Sequence, residues 1–178
     1  PMAIEDAMSV IAQPNNDSNL TISVQTIAEE ISRFQSFAEG FLLAREQVQV
    51  YLSEIIDSGG RFAIFGAGHH GITFVNLLGL AHLVSAFIDD NEYKQQLCAP
   101  GSRLPILSSD KLMTDQVTHC VLAVAQENES KVRGIVENKS PDTSCYSVFV
   151  ESEFSLPPFR NPNWVGQASL HEKKELCQ

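Results

Sequence analysis

Basic residues are scarce in this chain: 12 Lys and Arg against 22 Asp and Glu, for a net charge of −10. That balance excludes duplex nucleic acid and anionic membrane surfaces as expected partners, because both require clustered cations. Any phosphate bound here must be held locally, by backbone amides and a few side chains. No apolar run approaches the length of a membrane span. The opening residues, PMAIEDAMSVIAQPNND, carry neither a basic n-region nor an apolar h-region, so no signal peptide is expected and the chain reads as cytoplasmic. Pro1 ahead of Met2 reads as a remnant of tag removal, with Met2 the encoded start. Cysteine is sparse and scattered: Cys98, Cys120, Cys145 and Cys177 form no C-x-x-C pair, so no metal site is expected. Cys120 and Cys145 fall in predicted strands and read as small, reduced core residues. There is no G-x-S-x-G elbow and no Cys/His arrangement suited to nucleophilic catalysis, and catalytic residues stay unassigned.

What is present is an ordinary apolar content of 43% over 178 residues, enough for one core. The most informative stretch is Arg61–Asp90, RFAIFGAGHHGITFVNLLGLAHLVSAFIDD. Gly66, Gly68 and Gly71 fit G-x-G-x-x-G between an apolar run (Phe62–Phe65) and a helical run (Ile72–Leu80). In that pattern the first glycine permits a tight turn, the second lets a ligand approach the backbone, and the third lets helix and strand pack closely. The first amides of the helix, with its dipole, favour a phosphate. Candidate binding residues are therefore Gly66, Ala67, Gly68, His69, His70 and Gly71. Asp89 and Asp90 end the next strand about 20 residues downstream, where a carboxylate reaches ribose hydroxyls. Asp89 is the better ribose candidate, and Asp90 is expected to cap the following turn with Asn91. Lys94 and Arg103 are loop cations expected to face the ligand crevice.

The rest of the chain has a clear order. Residues 1–24 read as a turn-rich lead-in with a short strand at Leu20–Val24. Gln25–Ser58 reads as one long helix. Its stripe of Ile27, Ile31, Phe34, Ala38, Phe41, Val48, Leu52 and Ile55 follows 4–3 spacing, with Arg45 the one polar member. Phe37, Leu42, Tyr51 and Ile56 widen that face, which favours packing on the chain's own sheet over a homodimer seam. Gly40 marks a candidate kink. Strands are expected at Arg61–Phe65, Leu83–Ile88, Ile106-Leu107, Thr118–Ala125 and Cys145–Val150, with helices at His69–Leu80, Ser108–Met113 and Asn128–Asn138. Ser108, Ser109 and Asp110 are expected to cap the second of these helices. Strands alternating with helices imply an α/β fold with a mostly parallel sheet. The domain spans residues 25–150, and residues 151–178 form a C-terminal arm that either packs on it or binds a partner.

A longer ordered pattern adds a resemblance. Phe65-Gly66-Ala67 through Gly71, Asn76-Leu77-Leu78, Ile88-Asp89-Asp90-Asn91, Lys94-Gln95, Pro100-Gly101 and Pro105-Ile106 follow one another in an order that resembles the C-terminal domain of SAM-dependent sugar C-methyltransferases. The likeness covers about Glu29–Val150. It implies a Rossmann-like domain, preceded by a long helix, that helps hold a nucleotide-sugar while a separate domain or partner enzyme binds SAM. A weaker likeness, over Phe62–Asn91, is to the nucleotide-sugar-binding domain of some sugar acyltransferases. The chain departs from the methyltransferase pattern at His70, where the family usually has lysine, at Gln96, where glycine is usual, and at Ala125-Gln126, where an aromatic-Asn pair is usual. No upstream cysteine cluster, second glycine-rich motif or Tyr/His/Glu stretch accompanies it. The leading reading is thus a module that binds a nucleotide or nucleotide-sugar and works with a SAM-binding domain or partner enzyme. A stand-alone NAD- or SAM-binding enzyme and a non-catalytic interaction domain are the alternatives.

Overall fold

A computed structural model describes residues 24–160, and the strand expected at Leu20–Val24, apart from Val24 itself, and the C-terminal arm beyond Arg160 lie outside them. The elements are α1 (Val24–Asp57), β1 (Phe62–Phe65), α2 (His69–Leu77), β2 (Val84–Ile88), β3 (Ile106–Leu107), α3 (Lys111–Thr114), β4 (His119–Leu122), α4 (Glu129–Lys139) and β5 (Ser144–Ser147). Short 3-10 turns occupy Gln126–Asn128 and Pro157–Arg160.

All five strands are parallel, in the order β3-β2-β1-β4-β5. This is the 3-2-1-4-5 order of a doubly wound, Rossmann-like sheet, whose direction of winding reverses between β1 and β4. Alternation along β1 explains the two layers. Phe62 and Ile64 point into one core with Val48, Leu52, Val75, Leu80, Phe87 and Val121. Ala63 and Phe65 point into the other with Ile88, Leu112, Cys120, Leu122, Val132 and Val136. Because both faces are covered, β1 and most of β4 are apolar throughout.

The described residues divide into two units, the first ending at Gln35 and the second beginning at Ser36. In the first, Ile27, Ile31 and Phe34 on the opening turns of α1 are exposed, and Arg33 pairs with Glu30 at 2.6 Å. In the second, Phe37 and Leu42 are exposed, whereas Ala44, Val48 and Leu52 are buried. Gln49 donates to the Leu78 carbonyl at 2.7 Å, tying α1 to the end of α2. Within the second unit, the expected packing of the stripe on its own sheet is therefore met from Phe41 onward and not at Phe37. The helix passes Gly40 unbroken.

Other boundaries shift modestly. Helix α2 stops at Leu77 because Gly79 turns the chain with φ +67. The helix expected at Asn128 begins as a 3-10 turn one residue upstream of Glu127. Beyond β5, Ser155 bridges back to Ser147 in parallel, and Leu156 and Phe159 are buried in the core beside Phe74. Cys120 and Cys145 are register partners on β4 and β5, and both are unpaired thiols. Burial pushes the Cys145 thiol up to about 11 and the fully enclosed Cys120 well above its ordinary value.

Candidate functional site

The carboxyl ends of β1, β2 and β4 converge at the point where the winding reverses, the usual ligand crevice of such sheets. The glycine turn sits there. Gly66 donates its N–H to the Ile88 carbonyl at 2.8 Å and takes φ +108. A Cβ at Gly66 would lie 2.8 Å from the Ala123 carbonyl oxygen, so the turn also depends on close approach to β4. A Cβ at Gly71 would collide with the Gly66 carbonyl and meet Phe87 at 3.1 Å. Gly68 differs: it caps α2 in extended conformation, and a Cβ there would meet nothing within 4 Å. Two glycines thus serve packing, and the middle one faces open space at the start of a helix whose first amides lack intrahelical partners.

Asp89 is brought to this turn, bound internally. Its Oδ2 accepts the Ala67 N–H at 3.0 Å and the Lys94 Nζ at 2.8 Å. Its Oδ1 accepts the Asn91 N–H at 3.0 Å. Asn91 caps the turn as expected, its Oδ1 accepting the Tyr93 N–H at 3.0 Å, but its partner in capping is Asp89 and not Asp90. Asp90 instead accepts both the N–H and the hydroxyl of Ser109, at 2.8 and 2.9 Å. Ser109 is fully buried and joins the end of β2 to the start of α3, so it does not cap that helix. The geometry decides this: successive strand-end side chains point to opposite faces, Asp89 toward the glycine turn and Asp90 toward α3. Lys94 spends its charge on Asp89. Arg103 lies in a hairpin closed by Cys98 and Pro105, and Asn76 Nδ2 holds that hairpin through the Pro100 carbonyl at 2.9 Å. Asn76 is at the C-terminal turn of α2, about 10 Å along the helix from His69, so the hairpin tip is fixed away from the glycine turn.

The two histidines open α2 with ring centroids 3.8 Å apart. His69 is exposed and His70 is half-buried. The His70 ring stands edge-on to Phe149 at 5.2 Å. Phe149 follows β5, and sequence reasoning did not single it out. It also missed Glu129, which opens α4 with 3% exposure and accepts hydroxyls from the buried Ser147 and Ser152. No periodicity marks this trio, because a glutamate in the first turn of a helix reads as ordinary. Among the described residues, no group of three or more His, Cys, Asp or Glu is placed to hold a metal ion. No helix among them is long and apolar enough to cross a membrane.

A family model described as the C-methyltransferase C-terminal domain matches residues 17–135. No curated protein matches the chain. Among solved structures, UDP-D-quinovosamine 4-dehydrogenase from Vibrio fischeri is similar at 16% identity, over 49% of this chain and 76% of that one, with a TM-score of 0.39. RSP, a Rex-family repressor, is similar at 14% identity, over 63% of this chain and 56% of that one, with a TM-score of 0.44. The chain thus spans little more than half the length of that repressor.

Proposed function

The chain belongs to the C-methyltransferase C-terminal domain family, and from that membership we propose that its crevice holds the diphosphate of a nucleotide-sugar for a SAM-binding methyltransferase domain or partner. The observation that carries the reading is the glycine turn. Gly66 and Gly71 leave no room for side chains, whereas Gly68 leaves space beside the first amides of α2. Those amides and the helix dipole suit a phosphate, and the uncharged approach suits a chain of net charge −10 that has few cations to offer. Asp89 shapes the turn by taking the Ala67 amide, and Lys94 neutralises Asp89, which keeps a carboxylate near the phosphate from repelling it. His69 and His70 stand at the same helix start, positioned to donate to a phosphate oxygen or to line the sugar.

The reading as an NAD- or SAM-binding enzyme asks Asp89 to accept ribose hydroxyls. A carboxylate offers about four acceptor positions, and Ala67, Lys94 and Asn91 already fill most of them. That occupancy favours a ligand anchored by phosphate over one anchored by ribose. Calorimetry of the full chain with UDP-glucose, TDP-glucose, NAD and SAM tests the choice. Heat from a UDP- or TDP-sugar, with none from NAD or SAM, is expected. No response to either nucleotide-sugar at millimolar concentration would sink the proposal.

A further inference from the structure

Glu129 is the one glutamate or aspartate among the buried described residues, and the turn after β5 is organised around it. Its two oxygens accept the hydroxyls of Ser147 and Ser152. Each serine oxygen also accepts the amide two residues further on, from Phe149 at 2.9 Å and Phe154 at 3.0 Å. The Leu156 N–H then returns to the Ser147 carbonyl at 3.1 Å. A segment with no helix or strand of its own, Val148–Ser155, is thereby closed on α4. The ring of Phe149 comes out of this clasp edge-on to His70.

A buried carboxyl is a costly way to fill space, because apolar side chains of similar volume serve stability as well or better. Its advantage is direction: two hydrogen bonds with narrow angular range fix where the bonded backbone goes. We infer that Glu129 is a positioning residue, which sets the His70 ring at the glycine turn by holding Ser147 and Ser152 and, through them, Phe149. The inference deepens the nucleotide-sugar reading and rests on it only in the binding readout below.

The test uses the full chain with Glu129→Gln, Phe149→Leu and the double variant. NMR of the histidine rings in the free protein is read first. Glu129→Gln is expected to move the His70 ring signals in the direction set by Phe149→Leu, and to leave those of His82 in place. Unmoved His70 signals in Glu129→Gln would overturn the inference. If Glu129→Gln melts without a cooperative transition, Ser147→Ala and Ser152→Ala decide by the same signals, and an unchanged His70 in both again overturns it. UDP-glucose affinity is read second. Glu129→Gln is expected to weaken it about threefold or more, with no further loss when added to Phe149→Leu, as coupled neighbours behave. Fully additive losses would break the link through Phe149. Absence of UDP-glucose binding by the unaltered protein would remove the nucleotide-sugar reading and leave the ring signals to decide the positioning role.

Discussion

Two segments close the carboxyl edge of the sheet, and they are built on opposite principles. The turn after β1 is shaped by missing side chains: Gly66 and Gly71 let backbone meet backbone. The turn after β5 is shaped by a side chain that reaches inward, Glu129, and by the two serines it holds. The first kind of turn is written into a short motif. The second kind assembles residues 18 and 23 positions apart and has no motif at all. A site defined by backbone approach can therefore be found by reading, whereas its neighbour, defined by a buried polar trio, cannot.

That contrast can be broken in several ways. The largest effect is expected from Gly71→Ala, whose Cβ must displace the Gly66 carbonyl or Phe87. A loss of about 3 kcal/mol is expected from overpacking of this kind, measured by urea unfolding, and an unchanged midpoint would refute the close-approach argument. Glu129→Ala should follow at about 2 kcal/mol, since it strands two buried hydroxyls. Loss of less than a quarter of that would show that Ser147 and Ser152 find other partners. Gly68→Ala separates binding from folding. Its φ of −111 is open to any residue and its surroundings are empty, so stability should change by less than about 0.5 kcal/mol. UDP-glucose affinity should nevertheless fall about tenfold, or 1.4 kcal/mol. An affinity that survives would move the phosphate elsewhere.

The smallest effect concerns the opposite, amino end of the sheet. His119 lies between Phe62 and Tyr146, with its Nδ1 at 2.7 Å from the Thr118 hydroxyl. Burial lowers its imidazole below the ordinary value. The unfolded chain then takes up the proton first. The stabilising contribution is complete above the ordinary imidazole pKa of about 6.5, and it is lost as pH falls from there through the lowered folded value. Unfolding midpoints between pH 7.5 and 5 should decline less steeply in His119→Gln than in the unaltered chain. Equal slopes would assign the decline to other groups.

Much of the architecture was legible because it rests on local rules. The continuous apolar runs of β1 and β4, the glycine motif and the alternation of strand with helix led to a parallel Rossmann-like sheet with the glycine turn after β1. What misled was the assignment of neighbours. Asp89 and Asp90 are adjacent in sequence, and only the pleat of β2 decides that one serves the glycine turn and the other Ser109. The stripe on α1 reads as uniform, yet within the second unit Phe37 and Leu42 stay exposed while Phe41, Val48 and Leu52 join the core.

The sequence by itself determined the fold class, the family and the place of the glycine turn, since period, glycine spacing and motif order act over a few residues. The tertiary structure decided which carboxyl does what: Asp89 bound to Ala67 and Lys94, Asp90 to Ser109, Glu129 to Ser147 and Ser152. Hydrogen bonds between distant residues depend on how strands and helices meet, and no local pattern encodes that meeting.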